Sequence, residues 1–125
     1  NLKYIAGDFF EDAGGGLVGL DRTNRFDLII LGWILHDWRD AEAIQILSRA
    51  KYHLASSGQI ILLEKPLDQN GLGVATNLDL TMLLQTGGLE RTISQYEDLA
   101  QAAQLQFVKH IRAPQRRDVL VLEAK

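Results

Sequence analysis

A histidine and an aspartate stand side by side at the end of the most apolar stretch of the chain. The run from Phe26 to Leu35 is almost continuously apolar, as in a strand covered on both faces, and polar residues return at His36 and Asp37. Open α/β sheets bind ligands at the carboxyl ends of their strands. An imidazole at such a place is a candidate general base, because its pKa lies near neutrality.

A purely structural interpretation of the same residues is also open. His36 would then only finish the strand, and Asp37 would only cap the following helix. Aspartate is a favoured N-cap residue, and Asp40 lies where a carboxylate meets the positive end of the helix dipole. The segment by itself supports both interpretations, so other motifs must decide between them.

Further motifs occur in register along the chain. Leu-His-Asp-Trp at 35–38 is preceded by Gly-Asp-Phe-Phe at 7–10. It is followed by an apolar strand ending in Glu64, by Asp-Leu-Thr-Met-Leu at 79–83 and by Gly-Gly-Leu-Glu-Arg-Thr at 87–92. This order resembles the S-adenosylmethionine-dependent O-methyltransferases typified by caffeate and hydroxyindole O-methyltransferases. The resemblance implies S-adenosyl-L-methionine as cofactor and a small hydroxyl-bearing acceptor, aromatic or another secondary metabolite.

The resemblance assigns catalytic roles to His36, Glu64 and Glu90. His36 would take the proton of the acceptor hydroxyl, and the two glutamates match the acidic residues that hold the imidazole in the family. A carboxylate that accepts from one ring nitrogen leaves the other free to accept the substrate proton and stabilises the imidazolium that forms. Taken alone, Glu64 is also a strand-end charge facing solvent, and Glu90 a loop charge paired with Arg91.

The same resemblance supplies cofactor and acceptor contacts. Asp8 and Phe9 match positions that contact the adenine, although Asp8 alone is equally a turn residue. Gly32 replaces a lysine with which plant members hold the cofactor, which suggests a bacterial-type variant with a different contact. A tryptophan and a methionine are also ordinary core residues. The positions that line the family's acceptor pocket correspond to Trp33, Asp37, Asp79 and Met82.

Residues 14–19 satisfy the pattern G-x-G-x-x-G in the wrong context. A cofactor loop leaves an apolar strand and opens a helix, whereas acidic residues precede this segment and Asp21 to Asn24 follow it. We therefore expect it not to cradle the cofactor. The resembling enzymes carry their glycine-rich loop upstream of the Gly-Asp-Phe-Phe segment. Residues 1–125 are thus predicted to be the C-terminal half of a catalytic domain, without that loop and without the N-terminal dimerisation domain.

The apolar pattern alternates between strand and helix, which predicts an α/β, Rossmann-like fold with a mostly parallel sheet. An antiparallel hairpin closes the chain, with Arg116 and Arg117 in a solvated turn. Residues 2–5 are compatible with a short further strand. The main predicted strands are 26–35, 59–64, 105–111 and 119–122. The first predicted helix runs from Asp37 to about Ala55, and Gly58 marks its end. Two further helices are predicted, one over Ala75 to Leu84 and one from a capping box at Thr92 or Ser94 to about Gln104.

Composition bounds the partners. The 125 residues, 46% hydrophobic and 23% charged, suit one globular domain. A net charge of -3 without a basic run argues against nucleic acid or an anionic membrane. No apolar run approaches the roughly 20 residues of a membrane span, so a soluble cytoplasmic protein is expected.

Cysteine and histidine content limits the chemistry further. The absence of cysteine excludes disulfides, thiolate metal sites and a cysteine nucleophile. The three histidines are too dispersed to predict a metal site, and we expect His53 and His110 at the surface or a sheet edge.

Two expectations concern assembly and activity. In the implied fold the strand 26–35 is central and would lack one neighbour here, and an unpaired apolar edge favours association, so a homodimer or larger oligomer is expected. An alternative to the enzyme is a noncatalytic module that keeps the methyltransferase fold but does not bind cofactor alone.

Overall fold

Four strands and two α-helices make up the described part of the chain, which comprises residues 2–11, 14, 16–67, 89–113 and 116–125 of a computed structural model. The alternation of strands and helices confirms the predicted α/β class. In chain order the elements are β1 (Phe26–Gly32), a 3₁₀ turn (Leu35–Asp37), α1 (Asp40–Tyr52), β2 (Leu54–Glu64), α2 (Ile93–Ala102), β3 (Leu105–Ile111) and β4 (Asp118–Ala124).

The sheet has the strand order β1-β2-β4-β3. Strands β1 and β2 are parallel, whereas β4 pairs antiparallel with both β2 and β3. The predicted closing hairpin is therefore present, but the mostly parallel sheet is matched only in part. The reason is topological, because a short connection forces β3 and β4 to run in opposite directions and β4 then lies beside β2.

The core lies between the two helices and one face of the sheet. Residues of α1 spaced three and four apart are fully buried, and alternate residues of β2, Ile60 and Leu62, face them. On the opposite face, Leu28 and Ile30 of β1 are 52% and 57% exposed. Among the described residues, no helix is long and apolar enough to cross a bilayer.

The predicted boundaries around the His-Asp pair are wrong. Strand β1 ends at Gly32 rather than Leu35, because Trp33 adopts a left-handed backbone with φ 57 and the chain then turns into the 3₁₀ segment. Helix α1 begins at Asp40 with Arg39 as its N-cap. Asp37 therefore does not open the helix, and its carboxylate remains available for other contacts.

The end of α1 also differs from the prediction. The helix stops at Tyr52, and β2 begins at Leu54 because Leu54 pairs with Phe26 of β1. Gly58 lies inside β2, where a Cβ would stand 2.8 Å from the Phe26 carbonyl oxygen. Close approach of β1, not the end of a helix, requires glycine there.

Three other predicted elements have different outcomes. Residues 2–5 form no strand. The predicted helix over residues 75–84 lies outside the described residues. Helix α2 begins as predicted, with a capping box in which Thr92 accepts from the Gln95 amide and the Gln95 side chain accepts from the Thr92 amide.

Candidate active site

His36 and Glu64 meet in the interior of the protein. His36 lies in the 3₁₀ turn beyond β1 and is 1% exposed, and Glu64 is the last residue of β2 and equally buried. Their contact joins His36 Nδ1 to Glu64 Oε2 at 3.0 Å. Because β1 and β2 are parallel, their carboxyl ends meet at the same edge of the sheet, which brings the two residues together.

The second oxygen of Glu64 holds the backbone of the same turn. Oε1 accepts hydrogen bonds from the amides of Ile34 at 3.2 Å and Leu35 at 2.8 Å. An ionised carboxylate only accepts, so His36 Nδ1 must donate, and the proton of the neutral ring lies on Nδ1. Nε2 is then the basic nitrogen, and no described residue forms a hydrogen bond with it.

Two further carboxylates lie close to the imidazole. Asp37 Oδ1 is 3.4 Å from His36 Nε2, and Glu90 is 98% buried in the segment whose Leu89 amide donates to the His36 carbonyl oxygen at 2.8 Å. Burial lowers the pKa of His36. The hydrogen bond and charge of Glu64, with the charges of Asp37 and Glu90, outweigh burial and raise this pKa above its ordinary 6.5.

Arg91 is a residue that the sequence interpretation missed. Its side chain is fully buried, and it donates to the carbonyl oxygens of Leu35 at 2.9 Å, Trp38 at 2.8 Å and Leu89 at 3.2 Å. Two of its nitrogens also bind Asp40 Oδ1, at 2.9 Å and 2.8 Å. Arg91 thus fixes the backbone on both sides of His36. Its place beside Glu90 in the Glu-Arg-Thr motif was the available signal.

Of the predicted acceptor-pocket residues, Trp33 and Asp37 lie beside His36. The rings of Trp33 and His36 are 4.9 Å apart between centroids and nearly perpendicular, at 87°. Asp79 and Met82 lie outside the described residues. Among the residues that the structure describes, no group of three or more His, Cys, Asp or Glu side chains is arranged to hold a metal ion.

The predicted adenine contacts line a cavity of about 290 Å³. Asp8 is fixed in a turn, since its Oδ1 accepts from the amides of Phe10 at 2.6 Å and Glu11 at 3.1 Å, and these bonds lower its pKa. The turn interpretation of Asp8 is therefore confirmed, and the contact with adenine stays a prediction. The lining residues are Ile5, Gly7, Asp8 and Phe9 on one side and Leu17, Val18 and Leu20 on the other.

The glycine-rich segment forms the second wall of this cavity. As predicted, it follows no strand and opens no helix within the described residues. Its backbone packs directly on that of the first wall, because a Cβ on Gly19, which has φ +88, would lie 2.3 Å from the Ala6 carbonyl oxygen. A Cβ on Gly7 would lie 2.5 Å from that of Val18. These glycines permit close packing of two loops.

Arg49, a second residue missed from the sequence, attaches both walls to α1. Its guanidinium donates to the carbonyl oxygens of Phe10 at 3.1 Å, Gly16 at 3.2 Å and Glu11. Phe10 also packs on Trp38, with ring centroids 4.5 Å apart, so the first wall of the cavity contacts the segment that carries His36. A charged residue among the buried positions of α1 was the available signal.

The prediction places His53 at the surface or a sheet edge, but the residue is buried at the end of α1. Its side chain is 1% exposed, its Nε2 accepts from the Leu17 amide at 3.0 Å, and its Nδ1 lies 3.1 Å from the Asn24 carbonyl oxygen. With its proton on Nδ1, the ring donates to the Asn24 carbonyl oxygen and accepts from the Leu17 amide, so it holds the second wall of the cavity in place. His110 is partly buried on β3, which is an edge strand as predicted.

Gly32, the residue predicted in place of a lysine, is exposed at the end of β1. Among the described residues, a Cβ built on it would meet only Leu63 Cδ1, at an ordinary 3.7 Å. The described neighbours therefore do not require glycine at this position.

The sequence profile of the O-methyltransferase domain matches residues 1–106. The chain belongs to the O-methyltransferase family. It is 35% identical over 105 residues to acetylserotonin O-methyltransferase of Rattus norvegicus and 41% identical over 106 residues to norreticuline-7-O-methyltransferase of Papaver somniferum. Each alignment covers 82% of this chain, but only 22% and 27% of the respective relative.

A solved structure agrees with this assignment. The O-methyltransferase NcsB1 from neocarzinostatin biosynthesis, in complex with S-adenosyl-L-homocysteine and 1,4-dihydroxy-2-naphthoic acid, superposes with a TM-score of 0.73 at 27% identity. The match covers 95% of this chain and 33% of that chain. The chain thus spans about a quarter to a third of the proteins it matches, and the fold is that of a Rossmann-like methyltransferase.

Replacing Glu64 with glutamine is expected to lower the pKa of His36. The variant removes the main interaction that raises this pKa, while the burial that lowers it remains. Proton NMR of the imidazole across pH measures the midpoint, with Glu97→Gln on the exposed face of α2 as the control. An unchanged His36 midpoint in Glu64→Gln would show that the carboxylate does not govern the imidazole.

Proposed function

We propose that the protein is an S-adenosyl-L-methionine-dependent O-methyltransferase in which His36 is the general base. The observation that carries this proposal is the buried imidazole whose Nδ1 is held by Glu64 and whose Nε2 has no described hydrogen-bond partner. An imidazole fixed in this tautomer accepts a proton at a defined place without reorganisation. Family membership and the acidic surroundings of the ring support the same role.

The described residues account for the proton transfer. The acceptor hydroxyl would donate to His36 Nε2, and the proton would stay there while the oxygen becomes nucleophilic. The imidazolium that forms is stabilised by Glu64, Asp37 and Glu90, which is why the pKa of His36 is raised. Since the base must be unprotonated, turnover is expected to rise with pH through a midpoint above 6.5.

Asp8 and Phe9 of the cavity fit the adenine end of the cofactor, and in this proposal the glycine-rich segment, contrary to our expectation, would face the cofactor from the second wall. A mostly apolar cleft suits a flat base, and the Asp8 carboxylate can accept from an exocyclic amine. Phe9 supplies an aromatic surface beside it, and Gly32 stays our candidate for a further cofactor contact. When bound, S-adenosyl-L-methionine supplies an electrophilic methyl group on a positively charged sulfur.

We propose a small aromatic or secondary-metabolite hydroxyl compound as acceptor. Trp33 beside His36 offers an aromatic wall, and Asp37 a polar group next to Nε2. NcsB1, which was solved with a dihydroxynaphthoic acid, is consistent with this acceptor class. Asp79 and Met82 stay predictions for the same pocket. The competing proposal is a noncatalytic module that keeps the fold but does not bind cofactor by itself.

Titration with S-adenosyl-L-homocysteine by calorimetry separates the two proposals. We expect binding in the micromolar range and about tenfold weaker binding by Asp8→Asn, which keeps the turn but removes the charge. Asp27→Asn, an exposed aspartate of β1, is the matched control and should bind as wild type does. No binding at millimolar ligand would favour the noncatalytic module, and equal affinities of wild type and Asp8→Asn would remove Asp8 from the site.

Replacing His36 with glutamine is expected to lower turnover by about 10²-fold or more. The affinity for S-adenosyl-L-homocysteine should remain within about twofold of wild type, because the variant removes a proton acceptor and not a cofactor contact. Initial rates of methyl transfer and calorimetry measure the two effects. Unchanged turnover would exclude His36 as the base.

We also propose a homodimer or larger oligomer formed through β1. This strand lies at one edge of the described sheet, and Ile30 on it is 57% exposed. Light scattering at micromolar concentration should give at least twice the 14.0 kDa chain mass, and Ile30→Lys should lower it. Val108→Lys on β3, at the other edge and 46% exposed, is the control. A monomeric wild type would contradict the proposal.

A further inference from the structure

Arg117 stacks on the tryptophan beside the candidate base. Its guanidinium carbon lies 3.8 Å from the centroid of the Trp33 ring, and the guanidinium side chain is otherwise exposed. Arg116 and Arg117 are both exposed, as the predicted solvated turn requires, and Arg117 makes this contact in addition. A guanidinium over an aromatic face is held at a defined place, and the N–H groups along its edge can still donate hydrogen bonds.

Trp33 is itself fixed between Arg117 and His36. The Trp33 amide donates to the Leu63 carbonyl oxygen at 2.9 Å, and the left-handed backbone at this residue sets the direction of its side chain. The Trp33 and His36 ring centroids are 4.9 Å apart. Trp33 therefore joins the imidazole and the guanidinium, both of which contact its ring.

Arg117 directly precedes β4, and the start of this strand is held in place by its neighbour Asp118. That carboxylate accepts from the Ala113 amide at 3.0 Å, contacts His110 Nε2 at 2.6 Å and lies 3.5 Å from Lys65 Nζ. Burial alone would raise the pKa of Asp118, but these contacts lower it overall. The start of β4 is thus a preorganised support, and Arg117 needs little ordering to bind a ligand.

The charges near the site make Arg117 significant. Glu64, Glu90 and Asp37 surround the imidazole, so an anionic acceptor would be repelled unless a cation received its negative group. Lys65 is already paired with Asp118. Within the described ranges, no carboxylate lies within ion-pair distance of the Arg117 guanidinium. Arg117, which contacts the ring beside the imidazole, is therefore a cation available for this role.

We propose that Arg117 binds the carboxylate of the methyl acceptor, so that the enzyme selects hydroxylated aromatic acids over their neutral analogues. The proposal rests on the proposed function, because the hydroxyl at the other end of the acceptor is the one that faces His36 Nε2. A guanidinium binds a carboxylate through two parallel N–H bonds, which also orients the ring.

Binding of para-hydroxycinnamate and of its uncharged methyl ester tests the proposal. Calorimetry of the whole chain with S-adenosyl-L-homocysteine present should show the acid binding about tenfold more tightly than the ester. Arg117→Gln should abolish this preference by weakening only the acid. Arg117→Lys should retain part of it, because a lysine keeps the charge but not the fork. The control Arg116→Gln, an exposed neighbour, should behave as wild type does.

The outcomes separate this inference from the function on which it rests. Equal affinities for acid and ester, or an equal loss of both in Arg117→Gln, would overturn the inference while leaving the methyltransferase proposal intact. Binding of S-adenosyl-L-homocysteine with no binding of either probe would also overturn it. A charge preference that depends on Arg117 in a chain that does not bind S-adenosyl-L-homocysteine would support the subsite and contradict the proposed reaction.

Discussion

The arrangement of the site depends on one buried carboxylate. Glu64 uses one oxygen to hold the His36 ring and the other to accept two backbone amides of the turn that carries it. Burying a carboxylate is costly unless its oxygens are hydrogen-bonded, and these three donors meet that requirement. The same bonds set the tautomer of the imidazole, its place relative to β2 and the direction of its pKa shift.

A second buried charge completes this arrangement from the opposite side. Arg91 binds Asp40 at the start of α1 and the carbonyl oxygens of Leu35 and Trp38, so the chain before and after His36 is held by one guanidinium. Because Arg91 follows Glu90 directly, the segment that brings a carboxylate near the imidazole also brings the cation that fixes its backbone. The turn therefore owes its shape to side chains remote in sequence, and a short 3₁₀ segment alone would not hold it.

The two walls of the cavity are attached to α1 by two other buried side chains. Arg49 reaches from α1 to the carbonyl oxygens of Phe10 and Gly16, and His53 holds Leu17 and Asn24 at the end of that helix. Phe10 then connects the first wall to Trp38. The cavity and the imidazole thus share supports in α1, which relates the two halves of the proposed site through one rigid element.

Much of the fold followed from local patterns. The apolar runs of β1 and β2, the terminal hairpin and the Thr92 capping box are set by residues near one another in sequence, so their presence was predicted. The end of β1 and the start of β2 were not, because β1 ends at Gly32 and β2 begins at Leu54. The motifs around His36, Glu64 and Glu90 likewise identified the family before any geometry was known. The predictions that failed concern features that depend on contacts between distant segments. Pairing of Leu54 with Phe26 converted the predicted helix end into strand, and insertion of β4 beside β2 made most of the described pairings antiparallel.

The sequence by itself determined which chemical groups are present, an imidazole and several carboxylates, and to which family the chain belongs. Only the tertiary structure decided their geometry and which other residues hold them in place. These residues act through partners that lie far from them in the chain, and they are Arg91, Arg49, His53 and Arg117. Long polar side chains have no periodic signature, and whether they face solvent or bind buried groups depends on which segments the fold brings near.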